Sequence, residues 1–146
     1  MQSTFTLRTA SASDKERLAT LRMKVMAPDF ERHGLESERV QEYFNKKFDP
    51  SLTYIIESED IFVGCISVKP EDNGHHIEHF YIKPEYQGKG FGSNVLKHIM
   101  DENYAKGEVL SLAVFKGSAS KAFYEKYGFE VVDEESFVDW LRFTYK

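Results

Sequence analysis

Residues 78–92 read EHFYIKPEYQGKGFG, and this stretch decides the fold of the 146-residue chain. Its first part is rich in aromatic and β-branched residues, which favours a strand. Pro84 ends that strand because proline has no N–H to donate to a sheet. Glycines at 88, 90 and 92 then precede an apolar pattern with helical spacing. The stretch therefore predicts a strand, a tight glycine loop and the start of a helix.

The glycine loop predicts an anion-binding site. Alternate glycines let the backbone curl and leave amide N–H groups free to converge on one space. The following helix adds the partial positive charge of its N-terminus, and Lys89 adds a full one. Such a site favours phosphate or pyrophosphate, although a glycine-rich turn without a ligand is the plainer alternative.

The glycine spacing does not match two other nucleotide-binding motifs. The dinucleotide fingerprint G-x-G-x-x-G needs its third glycine where Ser93 stands, one residue after Gly92. A Walker loop needs four residues between its glycines and then Lys-Ser or Lys-Thr, whereas Gly88-Lys89 is followed by Gly90. The sequence therefore excludes both nucleotide loops.

Residues 75–79 read HHIEH, which spells the H-x-x-E-H signature of a class of zinc peptidases. That motif works on a helix, where residues four apart share a face. The neighbours of these histidines favour a strand, in which four residues span about 13 Å. Zinc holds each imidazole nitrogen at about 2.1 Å, so one ion could not bind both His75 and His79. We expect no metal, and we expect the three histidines to edge a cleft or to be exposed.

Hydrophobic periodicity predicts the remaining elements. A strand over 4–8 precedes a helix that begins in a capping box of Ser13 and Glu16, that Pro28 breaks or restarts, and that Gly34 ends. The other predicted elements are a helix over 36–48, strands over 52–57, 61–68 and 76–83 with turns at 58–60 and 70–74, a helix over 90–104, a strand over 109–115, a helix over 118–127 that Gly128 caps, and strands over 129–132 and 137–145. This order, β-α-α-β-β-β-α-β-α-β-β, predicts one α/β (α+β) domain over 1–146. We expect about four helices on a mixed, mostly antiparallel sheet of six to seven strands.

Composition limits the class of protein. The chain is 41% hydrophobic and 14% aromatic, as folded domains are. Its net charge of -5 disfavours nucleic acid and anionic membranes, which attract basic surfaces. The one cysteine, Cys65, excludes an intrachain disulfide, and its apolar strand predicts a buried, unreactive thiol. The sequence shows no apolar run of the roughly 18 residues that span a bilayer and no signal-peptide pattern at its start, so we expect a cytoplasmic protein.

The stretch 78–92 resembles a motif of the GNAT superfamily of acetyltransferases, in which Gln/Arg-x-x-Gly-x-Gly/Ala wraps the pyrophosphate of coenzyme A. Gln87, Gly90 and Gly92 stand at its key positions. A second stretch, 123–129, reads FYEKYGF and is similar to the family's late helix, turn and strand. The two motifs and the predicted elements match the family's order across nearly the whole chain. The resemblance implies a GNAT fold and transfer of an acetyl group from acetyl-CoA to a primary amine by direct attack in a ternary complex.

The resemblance also implies where the cofactor lies. In this family pantetheine occupies the space where the strand before the loop splays from the next strand, here 76–83 and 109–115. Backbone groups of Phe80 and Ile82 would bond pantetheine or polarise the thioester carbonyl, on which negative charge builds during attack. The implied cofactor-binding residues are Phe80, Tyr81, Ile82, Gln87, Gly88, Lys89, Gly90, Phe91, Gly92, Ser93, Ser118 and Tyr124.

Two catalytic roles are expected. Tyr124 stands at the position of the family's tyrosine in the late helix, so the resemblance implies that it protonates or hydrogen-bonds the leaving thiolate; its plainer role is that of a core aromatic. Glu78 would take the proton of the ammonium, directly or through water, because it lies on the strand lining the cleft and its aromatic neighbours can raise its pKa. A surface glutamate is the alternative. One departure concerns Ser118-Ala119-Ser120, where many relatives carry Asn-x-Ala; Ser118 can still cap the helix and donate to pantetheine.

The sequence does not identify the acceptor amine. In this family its specificity usually comes from the first two helices and the last strands, here 26–48 and 137–140. The aromatic and imidazole candidates are Phe30, His33, Tyr43, Phe44 and Trp140. A small amine, an aminoglycoside-like amine, an amino acid and a peptide or protein N-terminus all remain, and a homodimer is left open. The alternatives of another class are a GNAT-fold protein that senses acyl-CoA without transferring it and an interaction domain with a vacant loop.

Overall fold

A computed structural model of the protein describes residues 4–102 and 105–146. The strands are β1 (Thr6–Thr9), β2 (Thr53–Ser58), β3 (Ile61–Glu71), β4 (Gly74–Ile82), β5 (Val109–Phe115), β6 (Glu130–Glu134) and β7 (Val138–Thr144). The helices are α1 (Lys15–Arg32), α2 (Ser37–Lys47), α3 (Phe91–Met100) and α4 (Ser120–Lys126). The strands form one seven-stranded sheet in the order β1-β2-β3-β4-β5-β7-β6. All neighbours are antiparallel except β4 and β5, so the predicted mixed, mostly antiparallel α/β fold is confirmed.

Two apolar clusters hold the helices on opposite faces of the sheet. On one face α3 and α4 pack through Val95, Leu96 and Tyr124, and the sheet contributes Ile66 and Leu110. On the other face α1 and α2 pack through Leu18, Leu21 and Phe44, and the sheet contributes Ile55 and Cys65. Each such side chain stabilises the fold by about 1.5–3 kcal/mol when it is fully buried. Cys65 is buried and unpaired, as its apolar strand predicts.

The strands β4 and β5 part along their length. Residues 74–76 of β4 pair in parallel with 109–111 of β5. Beyond that point β4 runs to Ile82 and β5 to Phe115 without pairing to each other. β5 stays paired with β7 along its whole length, and β4 stays paired with β3. The sheet therefore has the V-shaped opening that the family resemblance implies.

A β-bulge in β4 shapes one wall of this opening. Ile77 pairs with Val68 and His79 pairs with Ser67, so Glu78 has no partner on β3. The extra residue shifts the alternation of side chains by one. Ile77 packs in the cluster under α3 and α4, whereas His79 contacts Phe44 on the opposite face. The bulge therefore brings Glu78 to the side of the sheet that α1 and α2 cover.

The start of α1 differs from the prediction. The capping box consists of Ser11 and Asp14, in a short 3-10 turn before the helix, and not of Ser13 and Glu16. The backbone N–H of Ser11 donates to Asp14 Oδ2 at 2.9 Å. Arg8 also binds this carboxylate, at 3.2 Å, which makes Asp14 a better anchor than the more exposed Glu16.

Pro28 does not break α1, which continues to Arg32. The predicted break rested on the missing N–H and the steric clash of the ring, which cost about 3 kcal/mol or more. Tertiary contacts offset this cost, because Phe30, two residues after the proline, is buried and packs edge-on against Phe115 at 5.8 Å. Gly34 follows the helix at φ 63 and ends it as predicted.

Pro70 and the ends of α3 and α4 can also be compared with the predicted elements. Pro70 lies within β3 and not in a turn; it pairs with His75 beyond the last residue of β3 that pairs with β2, so no β2 partner loses a hydrogen bond. α3 ends at Met100, and the predicted end at Tyr104 lies outside the described residues. Gly128 caps α4 as predicted, and in that cap the N–H of residue 129 donates to the Tyr124 carbonyl at 3.3 Å. No helix in the described ranges is long and apolar enough to cross a bilayer.

Candidate functional site

A cavity of about 900 Å³ opens between the diverging strands. Residues 76–81 of β4 and 112–115 of β5 form two of its walls. Residues 118–120 and Tyr124 border it at α4, and Trp140 borders it from β7. Residues of the first two helices border the remaining side. Of the expected acceptor residues, Tyr43 and Trp140 border the cavity, whereas Phe30 and Phe44 are buried in the protein core.

Tyr124 stands at the cavity with its ring held by packing. The ring lies edge-on to Phe123 and Phe129 at centroid distances of 5.2 and 5.6 Å. The residue is 7% exposed, and burial raises the pKa of its phenol above the usual range. Its hydroxyl has no hydrogen-bond partner among the residues described. The site therefore offers a protonated hydroxyl that can donate to a ligand.

The glycine loop lies at the end of the cavity, with Gln87 at the border. Gly88 and Gly90 have φ values of 76 and 90, a conformation that residues with a Cβ avoid. A Cβ on Gly88 would meet nothing within 4 Å, so space is open beside the loop. The N–H groups of Gly88 and Gly90 have no acceptor in the described part of the chain. Gly90 is the N-cap of α3, so the loop leads directly into the positive end of that helix.

Other predicted cofactor residues differ in what they can contribute. Phe91 is buried and packs edge-on to Tyr86, so only its backbone can meet a ligand. Ser93 lies in the first turn of α3, and Lys89 places its ammonium 5.8 Å from the Tyr86 ring. Ser118 borders the cavity, and its Oγ accepts from the Ser120 N–H at 3.2 Å, so it caps the start of α4.

The backbone of β4 presents hydrogen-bonding groups to the opening. Lys83 N–H donates to the Val63 carbonyl on β3 at 2.8 Å. In an antiparallel pair, residues that bond the partner alternate with residues that face away. Tyr81 therefore also bonds β3, whereas the backbone groups of Phe80 and Ile82 face the opening. Gln87 Nε2 donates to the Ile82 carbonyl at 2.9 Å, which agrees with this orientation.

Glu78 lies beside basic groups. Its carboxylate accepts from the Tyr43 hydroxyl at 3.1 Å and lies 3.4 Å from His76 Nε2 and 3.8 Å from Lys69 Nζ. The His76 hydrogen bond, followed by the charge of Lys69, lowers the pKa of Glu78 to about 2 against the effect of burial. The expected rise in pKa was therefore wrong, because the bulge turns Glu78 toward these partners and away from its aromatic neighbours in sequence.

Arg22, Tyr81 and His79 form a buried group at the α1 side of the cavity. Arg22 Nε donates to the Tyr81 hydroxyl at 3.2 Å, and that hydroxyl is 2.9 Å from His79 Nδ1. The Tyr81 side chain thus lies on the α1–α2 side of the cavity. Burial lowers the pKa of His79 to about 4, so the imidazole is neutral near pH 7. His76 and His79 are buried at the edge of the cavity.

A family model described as an acetyltransferase (GNAT) domain matches residues 12–145. The chain belongs to the GNAT acetyltransferase family. No curated protein sequence matches this GNAT chain.

Solved structures share the GNAT fold. PaiA N-acetyltransferase of Thermoplasma acidophilum, solved with coenzyme A, is 22% identical, with 97% of this chain and 99% of that chain covered and a TM-score of 0.74. An acetyltransferase of Thermus thermophilus is 21% identical, with 99% of each chain covered and a TM-score of 0.74. N-acetylglutamate synthase of Neisseria gonorrhoeae, solved with coenzyme A and N-acetyl-glutamate, is 19% identical, with 100% of this chain and 36% of that chain covered and a TM-score of 0.69.

Sequence reasoning missed Arg22 in this GNAT site. A signal was present, because Arg22 follows Leu18 by four residues and precedes Val25 by three, on the apolar stripe of α1. A charge on a buried stripe needs a partner, and that need marks a candidate functional residue. Within 4–102 and 105–146, no group of three or more His, Cys, Asp or Glu residues could hold a metal ion.

Proposed function

We propose that the protein transfers an acetyl group from acetyl-CoA to the primary amine of an acceptor. The parting of β4 and β5 supports this most strongly, because it opens a cavity bordered by Gln87, at the start of the glycine loop, and by Tyr124 in α4. Membership of the acetyltransferase family agrees with it. The structures from Thermoplasma and Neisseria, which contain coenzyme A, share the fold that carries this opening.

Coenzyme A would bind along the opening. The loop around Gly88 and Gly90 suits its pyrophosphate, since N–H groups, a helix N-terminus and open space converge there. The extended pantetheine carries two amides, which suit the backbone groups of Phe80 and the N–H of Ile82, whereas the Ile82 carbonyl already accepts from Gln87 Nε2. Ser118, on the α4 side, can donate a further hydrogen bond. In this arrangement the thioester would lie near the middle of the cavity.

Tyr124 would act on the leaving group. The amine nitrogen attacks the thioester carbonyl, a C–N bond forms, and the C–S bond breaks to release the thiolate. A fixed N–H of β4 facing the opening would stabilise the charge that builds on the carbonyl oxygen. The Tyr124 hydroxyl, which stays protonated because of its raised pKa, would donate its proton to the thiolate.

Glu78 would hold the ammonium end of the acceptor. With a pKa of about 2, its carboxylate is ionised and attracts a cation but is a weak base. The amine must lose a proton before it attacks, and we assign that proton to water held by Glu78. A polar route leads outward: His76 Nε2 lies 3.4 Å from Glu78, His76 Nδ1 lies 2.8 Å from Ser111 Oγ, and Ser111 donates to Glu71 at 3.1 Å. The Glu71 side chain is 43% exposed.

The proposed transfer is tested by measuring thiol release from acetyl-CoA with a broad panel of amines. Calorimetric titration with coenzyme A measures cofactor binding in parallel. We expect coenzyme A to bind and at least one amine class to support turnover. Binding without turnover of any amine would favour a sensor of acyl-CoA. Absence of binding at millimolar coenzyme A would refute both functions and favour an interaction domain.

A further inference from the structure

Arg22 is a buried cation whose hydrogen-bond partners are neutral. It is 7% exposed and borders the cavity. Its Nε donates to the Tyr81 hydroxyl at 3.2 Å, and its Nη1 donates to the Val40 carbonyl at 2.7 Å. It forms no ion pair with any residue that the structure describes. A buried charge without an opposite charge is costly, so this arrangement needs an explanation.

The carboxylates that border the same cavity are engaged elsewhere. Asp29 binds Arg32 Nη1 at 2.6 Å. Glu78 is held by the Tyr43 hydroxyl at 3.1 Å, with His76 and Lys69 beside it. The rim carries both signs, with an exposed glutamate at 36 and an exposed arginine at 39, and does not compensate the buried charge.

Aromatic rings surround Arg22. The centroids of Phe30, Tyr43 and Phe44 lie 5.1, 5.7 and 5.8 Å from its Cζ. Such contacts stabilise a guanidinium but leave its strongest interaction, a bidentate bond to a carboxylate, unused. The rings also lower the polarity beside the guanidinium, which would strengthen a charge pair formed there.

The neighbouring groups add donors and no negative charge. Arginine only donates, so the Tyr81 hydroxyl accepts from Arg22 and is free to donate its own hydrogen to His79 Nδ1. This assignment places the imidazole hydrogen on Nε2, which is buried and has no partner in the described part of the molecule. The three residues together therefore have unused donors and one positive charge.

We propose that Arg22 binds a carboxylate of the acceptor, so that the acceptor is an amine that also carries a carboxylate. This rests on the proposed acetyl transfer and narrows it to the class of amino acids. Arg22 and Glu78 border one cavity with opposite charges, which matches a zwitterion with its carboxylate at Arg22 and its ammonium at Glu78. Tyr43 stands between them, with its hydroxyl on Glu78 and its ring near Arg22.

The test compares acceptors that differ in the carboxylate alone: each standard amino acid beside its α-amide and beside the amine that lacks the carboxyl group. We expect kcat/KM for the best acid to exceed that of its amide by about tenfold or more, as one charge-assisted hydrogen bond allows. The amine of an amide is less basic and so is less protonated at neutral pH. An advantage of the acid therefore does not arise from basicity.

A variant series assigns the effect to Arg22. In Arg22→Gln we expect KM for the acid to rise about 10- to 100-fold, with the amide unaffected and coenzyme A binding unchanged by calorimetry. Arg142→Gln, an exposed arginine on β7, is the matched control and should keep the acid's advantage. Should Arg22→Gln fail to fold, the acid–amide comparison in the native protein decides alone.

Two kinds of failure are distinguishable. Amides or carboxyl-free amines acetylated as well as the acids, or an acid advantage that survives in Arg22→Gln, would overturn the inference and leave acetyl transfer intact. No coenzyme A binding, or binding without transfer to any amine, would overturn the proposed function and the inference with it.

Discussion

The substitution Tyr124→Phe tests whether the Tyr124 hydroxyl acts in acetyl transfer without contributing to coenzyme A binding. It removes one hydroxyl that has no partner among the described residues, and it keeps the ring between Phe123 and Phe129. We therefore expect the free energy of unfolding to change by less than about 1 kcal/mol, because no hydrogen bond within the protein is lost. Coenzyme A should bind as before, since the proposed cofactor contacts come mainly from the loop and strand β4.

Turnover should fall sharply in the same variant. Loss of a proton donor to the thiolate should lower kcat by about 10- to 1000-fold. That range corresponds to about 1.4–4.1 kcal/mol of transition-state stabilisation. Steady-state thiol release gives kcat, and calorimetry gives the Kd of coenzyme A. Because the pKa of Tyr124 lies above its usual range, native kcat should show no loss from ionisation of this group between pH 7 and about 9.

Tyr127→Phe is the matched control for this experiment. Tyr127 lies directly after α4 and outside the residues that border the cavity. It should keep native turnover. Unchanged kcat in Tyr124→Phe, or an equal loss in both variants, would refute the assignment of Tyr124 as the proton donor.

Four further outcomes follow from the structure. Gly88→Ala should raise the Kd of coenzyme A by about tenfold, because its Cβ would occupy the open space beside the loop where the pyrophosphate is proposed to bind; the strain of a Cβ at φ 76, roughly 1–2 kcal/mol, would instead lower the stability of the free protein. Calorimetry measures the Kd, and an unchanged value would argue against pyrophosphate there. Glu78 has a pKa of about 2 in the fold against its usual 4.5, so it stabilises the native protein above pH 5 and loses that contribution as pH falls toward 2. The native protein should thus exceed Glu78→Gln in free energy of unfolding at pH 7 but not near pH 2, and a gap that persists at low pH would contradict the shift. Burial raises the pKa of Cys65 to about 12, so a disulfide reagent should label it only after denaturant is added, and rapid labelling of the native protein would contradict its burial. Pro28→Ala restores a helical N–H at an exposed site and should stabilise the protein by about 1–3 kcal/mol in thermal melts, whereas a loss would mean that the proline ring itself packs usefully.

Local patterns in the sequence were sufficient to predict the order of the strands and helices. Strand β5 coincides with its predicted bounds of 109–115, because an apolar run between turn residues leaves little choice. Gly34 and Gly128 end α1 and α4 as predicted, since a glycine after a helical pattern favours a left-handed cap. The glycine stretch follows β4 at Gln87 and continues into the first turn of α3 at Gly92, as the glycine spacing predicts.

The features that the sequence did not predict depend on contacts between residues that are distant along the chain. Pro28 stays helical because Phe30 packs on Phe115, a residue far along the chain. The pKa of Glu78 depends on a bulge that pairing with β3 creates, and on Tyr43 from another helix. Arg22 meets Tyr81 only in the folded protein. Each case needs the partner's position in space, which periodicity and propensity do not contain.

The parting of β4 and β5 has a consequence for the completeness of the sheet. It exposes two unpaired strand edges inside the sheet, where a free edge would ordinarily recruit another strand. If pantetheine binds there, its amides take the place of a missing strand segment, and the cofactor closes the sheet. Part of its binding free energy would then appear as stability of the fold, so the supply of coenzyme A would set how firmly this protein holds together.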